Sequence, residues 1–368
     1  QEKLKEYRKR AKELVAQMTL EEKVGQLFFV RVPDTDAVSD VSTYHLGGYI
    51  LFGRDTADKT ADALIQTIQS YQDAAAVDTG IPLLIGVVMI VYFLPRLAAR
   101  IGADVQLAAW FSTINPLLII DLVGGMHNDG LMIGLIIVAL YIAQVRPERF
   151  WLAAIVVGGA AAIKQPALLA AYPVALVGLP WRWNTAHVLN KLGRAAVSSV
   201  IAVATFVAIS LATGLNFGWI NALDVPGRVV TLAPLSLIGE GIRLLCVAAG
   251  RPELGTQIAG GLLVAGVVAS ALIVAYLAVT VARRRPVTFL SWSYLVIALL
   301  GPAMHSWYLL WGGLLLPLTR PTERVQRIAV GVTSVLLGYG AGNLAWRNGA
   351  VALGFAALAL MLLLRYTI

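Results

Sequence analysis

Residues 115–135 read Asn115-Pro-Leu-Leu-Ile-Ile-Asp-Leu-Val-Gly-Gly-Met-His-Asn-Asp-Gly-Leu-Met-Ile-Gly-Leu135. Two apolar runs flank a short polar hinge, Asp121 to Asp129, which carries one His, one Asn and two Asp. Ionisable groups are costly inside a bilayer, and where they persist between spanning helices they mark function. The fold therefore turns on whether the flanking runs are membrane helices.

Composition says that they are. Of the 368 residues, 58% are hydrophobic and 14% charged, and mean hydropathy is +0.75. Soluble domains carry about a quarter charged residues. The average hides a seam. Residues 1–80 hold 10 Lys/Arg and 13 Asp/Glu, whereas residues 81–368 hold 19 Lys/Arg and 8 Asp/Glu. The net charge of +8 sits in short loops between apolar runs, where basic residues set membrane orientation. It does not point to nucleic acid. Cys246 is the single cysteine, so no internal disulfide or cysteine metal cluster can form. No secretory signal opens the chain, and it begins at Gln1 rather than Met, which points to removal of an N-terminal piece.

The first block, residues 1–86, reads as α/β. Glu2 to Gln17 is a charged amphipathic helix. Thr19 with Glu22 makes a capping box. Gln26 to Val32, Gly48 to Phe52 and Ile81 to Ile85 read as strands, and Ala61 to Ala75 has helical spacing. Strand and helix in alternation imply a parallel unit. Three stretches carry a resemblance: Met18-Thr-Leu-Glu-Glu-Lys-Val-Gly-Gln-Leu27, His45-Leu-Gly-Gly-Tyr-Ile-Leu-Phe-Gly-Arg-Asp55 and Gly80-Ile-Pro-Leu-Leu-Ile-Gly86. They resemble the start of a family 3 glycoside hydrolase of the β-N-acetylhexosaminidase kind. That family continues into a sugar-binding segment, Asp-Gln-Glu-Gly-Gly. Here Val87-Val-Met-Ile-Val-Tyr-Phe-Leu follows instead. A (β/α)₈ barrel needs eight strands and keeps its chemistry on the later loops, so the block reads as an incomplete barrel with open edges. Arg54 and Asp55 read as a solvated loop pair, and no carboxylate pair for glycoside hydrolysis can be assigned.

The second block, residues 87–368, together with the few residues before it, is a succession of apolar runs. They are Ile81–Leu94, Val105–Leu122, Gly130–Val145, Trp151–Leu179, Ala195–Thr213, Gln257–Val281, Val287–Leu300, Pro302–Leu318, Val325–Tyr339 and Gly349–Leu364. A span takes about 20 residues, so the expectation is a mainly α, polytopic bundle of about nine to eleven spans. Trp151–Leu179 is interrupted by Lys164-Gln-Pro166, and Pro166 breaks the helix. A long bent span and a pair of short helices are both open. Basic residues on both flanks (Arg146 and Arg149; Arg182, Lys191 and Arg194) favour the pair, because both flanks belong on the cytoplasmic side. Arg96 and Arg100, Arg283 to Arg285, and Arg320, Arg324 and Arg327 fit the same side; Arg347 does not. Thr231–Gly250 then lies at the outer face as an interfacial segment. The hinge Asp121–Asp129, His305 and the loop Leu215–Arg228 become extracytoplasmic.

Asn115-Pro-Leu, Gly124-Gly-Met-His-Asn-Asp-Gly-Leu-Met-Ile-Gly-Leu135, Ala162-Ile-Lys-Gln-Pro-Ala167 and Ser306-Trp-Tyr-Leu-Leu-Trp311 together resemble the actinobacterial polyprenol-phosphate-mannose-dependent α-1,6-mannosyltransferases. These are membrane glycosyltransferases of the GT-C class. The last motif departs at Ser306, where the family pattern has Pro. The resemblance implies a multi-pass plasma-membrane protein. It implies transfer of mannose from a polyprenyl-phosphate-mannose donor to a growing α-1,6-mannan of cell-envelope lipoglycans, with no cofactor and no metal. A basic residue near the donor phosphate would stabilise the leaving group. A carboxylate on an outer loop would deprotonate the acceptor. GT-C enzymes place that base in a first extracytoplasmic loop, which the hydrolase-like block replaces here. The expectation is therefore a truncated chimera with little or no transfer. Asp121 and Asp129 are the remaining outer carboxylates.

Candidate substrate contacts are His127, Asn128, Asp129, Lys164, Trp307 and Tyr308, each with a structural alternative. His127, Asn128 and Asp129 suit a helix cap. Lys164 can snorkel or pair structurally. Trp307, Tyr308 and Trp311 can be belt aromatics. His127 with Asp129 falls short of a metal site. The alternative functions are hexosaminidase activity from residues 1–86 and a non-enzymatic membrane protein. A transporter would show a second broken helix in a matching position, and only Lys164-Gln-Pro166 breaks a run in that way.

Overall fold

The computed structural model describes residues 18–19, 21–22, 29–31, 35–46, 48–50, 63, 66–67, 70–71, 85–124, 127–182, 184–213, 217, 220, 231–346 and 354–362. Two compact units divide at residue 86, Gln1–Gly86 and Val87–Ile368. The expected helix Glu2–Gln17, the pair Arg54 and Asp55, and the loop Leu215–Arg228 fall wholly or almost wholly outside the described residues.

In the first unit, strand β1 (Phe29–Arg31), helix α1 (Ala37–Tyr44) and strand β2 (Gly48–Ile50) follow in order. The strands pair in parallel, with Val30 opposite Tyr49. Val41 of α1 and Leu46 just after it are buried, and Tyr49 ties back by donating to the Ala37 carbonyl at 2.7 Å. The capping box at Thr19 forms in both directions: the Thr19 amide donates to Glu22 Oε2 and the Glu22 amide to Thr19 Oγ1. No barrel forms among the described residues. Ile85, the last residue of the expected third strand, opens a helix.

The second unit is a helical bundle. Helix α2 (Ile85–Ile101) leads to α3 (Val105–Thr113), α4 (Asp129–Val145), α5 (Phe150–Ile163) and the short α6 (Ala171–Val174). Then come α7 (Thr185–Ala212), α8 (Pro234–Ala248), α9 (Pro252–Thr280), α10 (Pro286–Leu300), α11 (Leu309–Gly313) and α12 (Glu323–Trp346). Residues 354–362 are helical as well. The core is drawn from α2, α4 and α10: Ile90, Leu94, Met132, Ile136, Ile137, Phe289 and Tyr294 are fully or almost fully buried. Small residues set the closest approaches. A Cβ on Gly158 of α5 would stand 2.5 Å from Thr205 Cβ of α7, the backbone proximity that Gly and Ala faces permit between membrane helices.

Three expected spans are broken. Val105–Leu122 ends as a helix at Thr113, because Asn115-Pro116 interrupts it. Proline removes an amide donor and disfavours helix in the residue before it. The Asn115 side chain accepts from the Leu117 amide, and the chain continues as a π-helical turn, Leu118–Gly124. At about 1.5 Å per residue, the nine residues of α3 are too short to cross. Trp151–Leu179 is the pair of short segments. Helix α5 runs out to Lys164, and the 3₁₀ helix Gln165–Ala170 with α6 runs back. The return ends at Gly178, whose Cβ position lies 2.6 Å from Pro147 at the start of the excursion. Pro302–Leu318 breaks into a 3₁₀ turn at Ser306–Tyr308, the five-residue α11 and a second 3₁₀ turn at Leu316–Thr319.

Among the described residues, α7 and α9 are long and apolar enough to cross a bilayer. This is fewer than the nine to eleven expected, because several apolar runs are short or bent. Helix α9 shows what its outer face meets: Val264, Leu272, Tyr276 and Val279 are about two-thirds exposed or more. So large an apolar stripe marks an interaction surface in a soluble monomer. On a 29-residue apolar helix it suits lipid.

Basic residues gather at one end of this bundle. Arg194 reaches the carbonyls of Ala175 and Pro147, Lys191 that of Leu179, and Arg320 that of Ile101. Helices α4 and α10 run from this end to the other in opposite directions. Their far ends, at Asp129 and Leu300, hold the hinge and the segment after it.

Candidate functional site

Four pieces from three separate stretches of the chain meet at the far end: the turn Leu118–Gly124 and the start of α4 that follows it, the break after α5 and the turn Ser306–Tyr308. Each is placed by a break in a helix. The Asp121 carbonyl accepts from the His127 amide across the hinge. Asp129, the first residue of α4, is 1% exposed. Lys164 caps α5 in extended backbone, and its side chain leaves the helix to reach a neighbouring helix start.

Lys164 Nζ donates to both Asp129 oxygens, at 2.9 and 3.0 Å. Trp311 Nε1 donates to Asp129 Oδ1 at 2.5 Å. The ammonium also lies 4.5 Å from the Tyr308 ring centre and 5.3 Å from that of Trp311, within cation–π range. A buried carboxylate with three charge-assisted or indole donors is fully engaged. Asp129 is thereby an anchor for Lys164. An ammonium has three N–H donors, so Lys164 keeps one beyond the pair.

A second layer covers this pair. His127 stacks on Trp307 at 3.7 Å and 19°, and His305 stacks on the same indole at 4.5 Å and 3°. Tyr308 stacks on Trp311 at 4.4 Å. Burial pulls both imidazoles below their ordinary value of 6.5, and the Lys164 charge pulls in the same direction while Asp129 opposes it. They stay neutral at pH 7. Behind the layer, buried Tyr294 packs edge-on to Trp311 and donates to the Pro166 carbonyl. That contact steadies the break that releases Lys164.

Asp121 differs from Asp129. Its Oδ2 is buried without a hydrogen-bond partner among the described residues. Burial pushes its carboxyl up from the ordinary value, the Ser306 side chain opposes this by hydrogen bonding, and the Asp129 charge adds to the rise. A buried unpartnered carboxylate oxygen is unusual in a settled structure and is available to a proton.

The structure thus brings His127, Asp129, Lys164, Trp307 and Tyr308 into one cluster, with Asp121 beside it. Asn128 is the N-cap of α4 and makes no side-chain capping bond. Its carbonyl accepts from Leu131 and Met132. The Asp129 side chain goes to Lys164, so neither residue caps α4 through its side chain. Trp307, open to a belt reading in sequence, has its ring engaged by two imidazoles. Sequence reasoning missed Ser306 as a partner of Asp121, Trp311 as a partner of Asp129, and Tyr294. The one advance signal was that Ser306 and Trp311 bracket a motif already singled out.

The chain matches two family models. One is described as alpha-(1->6)-mannopyranosyltransferase, N-terminal domain, over residues 59–180. The other is described as MptB C-terminal domain, over residues 238–365. The first match begins within the stretch that resembles a hydrolase, and that resemblance finds no counterpart among these matches. No solved structure matches. Among curated proteins, a "Probable alpha-(1->6)-mannopyranosyltransferase" of Mycolicibacterium smegmatis is 29% identical over 318 residues, covering 77% of this chain and 54% of its own length. An alpha-(1->6)-mannopyranosyltransferase of Mycobacterium tuberculosis is 28% identical over 336 residues, covering 76% and 55%. A further one from that organism, mannopyranosyltransferase A, is 28% identical and covers 66% and 48%. The chain spans about half the length of these relatives, and along most of its own length it is similar to alpha-(1->6)-mannopyranosyltransferases.

Proposed function

We propose that this chain is the lipid-sugar-binding part of a multi-pass membrane mannosyltransferase. It takes mannose from a polyprenyl-phosphate donor and directs it to a growing α-1,6-mannan of cell-envelope lipoglycans. The observation that supports this most is the convergence of three motifs on Lys164. The lysine is held by Asp129, flanked by Tyr308 and Trp311, and retains one donor. The likeness to named mannosyltransferases supplies the reaction. In this reading the cluster faces the outer side of the plasma membrane and the basic end faces the cytoplasm, as the distribution of arginines favours.

The residues divide the work. Lys164 donates its remaining N–H to the donor phosphate and offsets the charge that grows there as the sugar leaves. Asp121 takes the proton from the acceptor hydroxyl. The acceptor oxygen then bonds to the anomeric carbon while the bond from that carbon to the phosphate oxygen breaks. Asp129 positions Lys164, and the stacked layer of His127, Trp307 and His305 walls the site.

The test uses the detergent-purified chain and a polyprenyl-phosphate-mannose analogue. Saturable binding is expected, lost in Lys164→Ala and kept in Asp121→Asn. With an α-1,6-mannooligosaccharide acceptor present, any transfer falls by about 10²- to 10⁴-fold in Asp121→Asn. Donor binding that is indifferent to Lys164→Ala would overturn the assignment of the site.

A further inference from the structure

At the other end of α4, about 25 Å from Asp129 by helix rise, lies a cavity of about 730 Å³. Arg100, Arg284, Arg285 and Arg320 line it together with Gln144 and Thr288, and no carboxylate does. The side chains of Arg100, Arg284 and Arg285 make no ion pair among the described residues. Arg320 is held in the lining by donating to the Ile101 carbonyl at 3.1 Å. Helix α10 begins here at Pro286, so its first free amides add their partial positive charge to the arginines. Four guanidiniums around one void repel one another unless an anion joins them. Planar forks of this kind fit phosphate oxygens in pairs.

A second void tells what carries the phosphate. A cleft of about 260 Å³ between α7 and α9 is walled mainly by apolar and aromatic side chains, among them Tyr172, Val188, Leu192 and Val279; Lys191 and Arg283 also line it, and Lys191 donates to the Leu179 carbonyl. Leu176 lines both the cleft and the basic cavity, so a charged head in one can continue into an apolar tail in the other. Inorganic phosphate would leave most of the larger cavity unfilled.

We propose that the Arg100–Arg284–Arg285–Arg320 cavity binds the phosphodiester headgroup of an anionic phospholipid, with an acyl chain in the cleft beside Leu176. This site is separate from the lipid-sugar cluster and uses none of its residues. Basic pockets between membrane helices bind such headgroups.

The experiment titrates the detergent-purified full chain with phosphatidylglycerol, with phosphatidylcholine and with inorganic phosphate, reading thermal stabilisation and bound lipid by native mass spectrometry. Phosphatidylglycerol is expected to bind and stabilise, the other two not. Arg284→Gln with Arg285→Gln should weaken it about tenfold or more. Arg327→Gln, which removes an exposed guanidinium paired with Glu323 outside the cavity, should not weaken it. Arg100→Gln alone tests the same cavity should the double variant fail to fold, and Lys164→Ala should leave the binding intact. Equal phosphatidylglycerol binding by the cavity variants and Arg327→Gln would overturn the site. Competition by inorganic phosphate as strong as that by the lipid would overturn the lipid as its occupant.

Discussion

The two ends of the bundle handle positive charge in opposite ways. At one end a single lysine is matched to a buried carboxylate and flanked by aromatic rings. At the other, four arginines share a cavity with no carboxylate in its walls. Burial explains the contrast. Asp129 is 1% exposed, and an unpaired charge at that depth costs several kcal/mol, so the lysine end must supply its own counter-ion. The arginines of the other end are largely exposed, and water or an incoming anion can answer their charge. One end balances its own buried charge, and the other leaves its charge to what lies outside the protein.

The strongest way to break this comparison is to remove the counter-ion of the lysine end. Asp129→Ala leaves the Lys164 ammonium without its carboxylate and the Trp311 N–H without its acceptor. Removing one partner of a buried pair costs about 3–5 kcal/mol, so a large fall in the thermal midpoint is expected. Lys164→Met in the same chain should recover part of that loss, because the two residues act as a unit. Simple additivity of the two substitutions would mean that the pair is not the source of the stability.

A smaller effect is expected one step back from the pair. Gly312 lies against the backbone of α10, and the Ser291 hydroxyl donates to its carbonyl at 2.8 Å. A Cβ at Gly312 would collide with the Ser291 carbonyl and with Leu295. Backbone cannot yield cheaply, so Gly312→Ala should displace α11 and its Trp311, costing about 1–3 kcal/mol. A change in tryptophan emission should accompany it. Gly313→Ala is the control, since its Cβ position is open; equal losses in both would refute the close contact.

Why was one end legible in the sequence and the other less so? The lysine cluster announced itself through breaks. The hinge and Lys164-Gln-Pro166 each interrupt an apolar run, and polar residues at such interruptions are conspicuous against a hydrophobic background; Asn115-Pro116 instead lies hidden within the run Val105–Leu122. Their partners were harder to see. Trp311 and Tyr294 sit inside apolar helices, where an aromatic reads as core or belt, and only the three-dimensional meeting of α10, α11 and α4 shows their hydrogen bonds. The same breaks misled the count of spans, because hydropathy alone cannot distinguish a straight helix from Val105–Thr113 followed by a π-helical turn. Loop signs put the basic residues on one side, and Arg100, Arg284, Arg285 and Arg320 do line one cavity. That Arg100 and Arg320, far apart in sequence, would wall the same cavity as Arg284 and Arg285 could not be read from spacing.

The finest discrimination between the two ends is by pH. His127 and His305 belong to the lysine end, in the hinge and in the loop before α11, and burial holds both below 6.5. The unfolded chain therefore binds more protons than the folded one once pH drops below that value, and stability falls with it. Their contribution is fully present above 6.5 and is lost as pH falls through the depressed native values. Asp121 works the other way. Its raised carboxyl makes the native state hold a proton longer, a contribution fully present below the ordinary value of 3.8 and lost as pH rises through the native one. As pH falls below 6.5 the imidazoles should thus lower the thermal midpoint, and protonation of Asp121 opposes that drop once pH falls through its raised native value. His127→Gln with His305→Gln should flatten the slope below 6.5, and Asp121→Asn should remove the opposing part. Arg284→Gln with Arg285→Gln, at the other end of α4 and about 25 Å away by helix rise, should leave the slope unchanged. A slope that moved with the arginines and not with the histidines would place the pH sensitivity at the wrong end of the bundle.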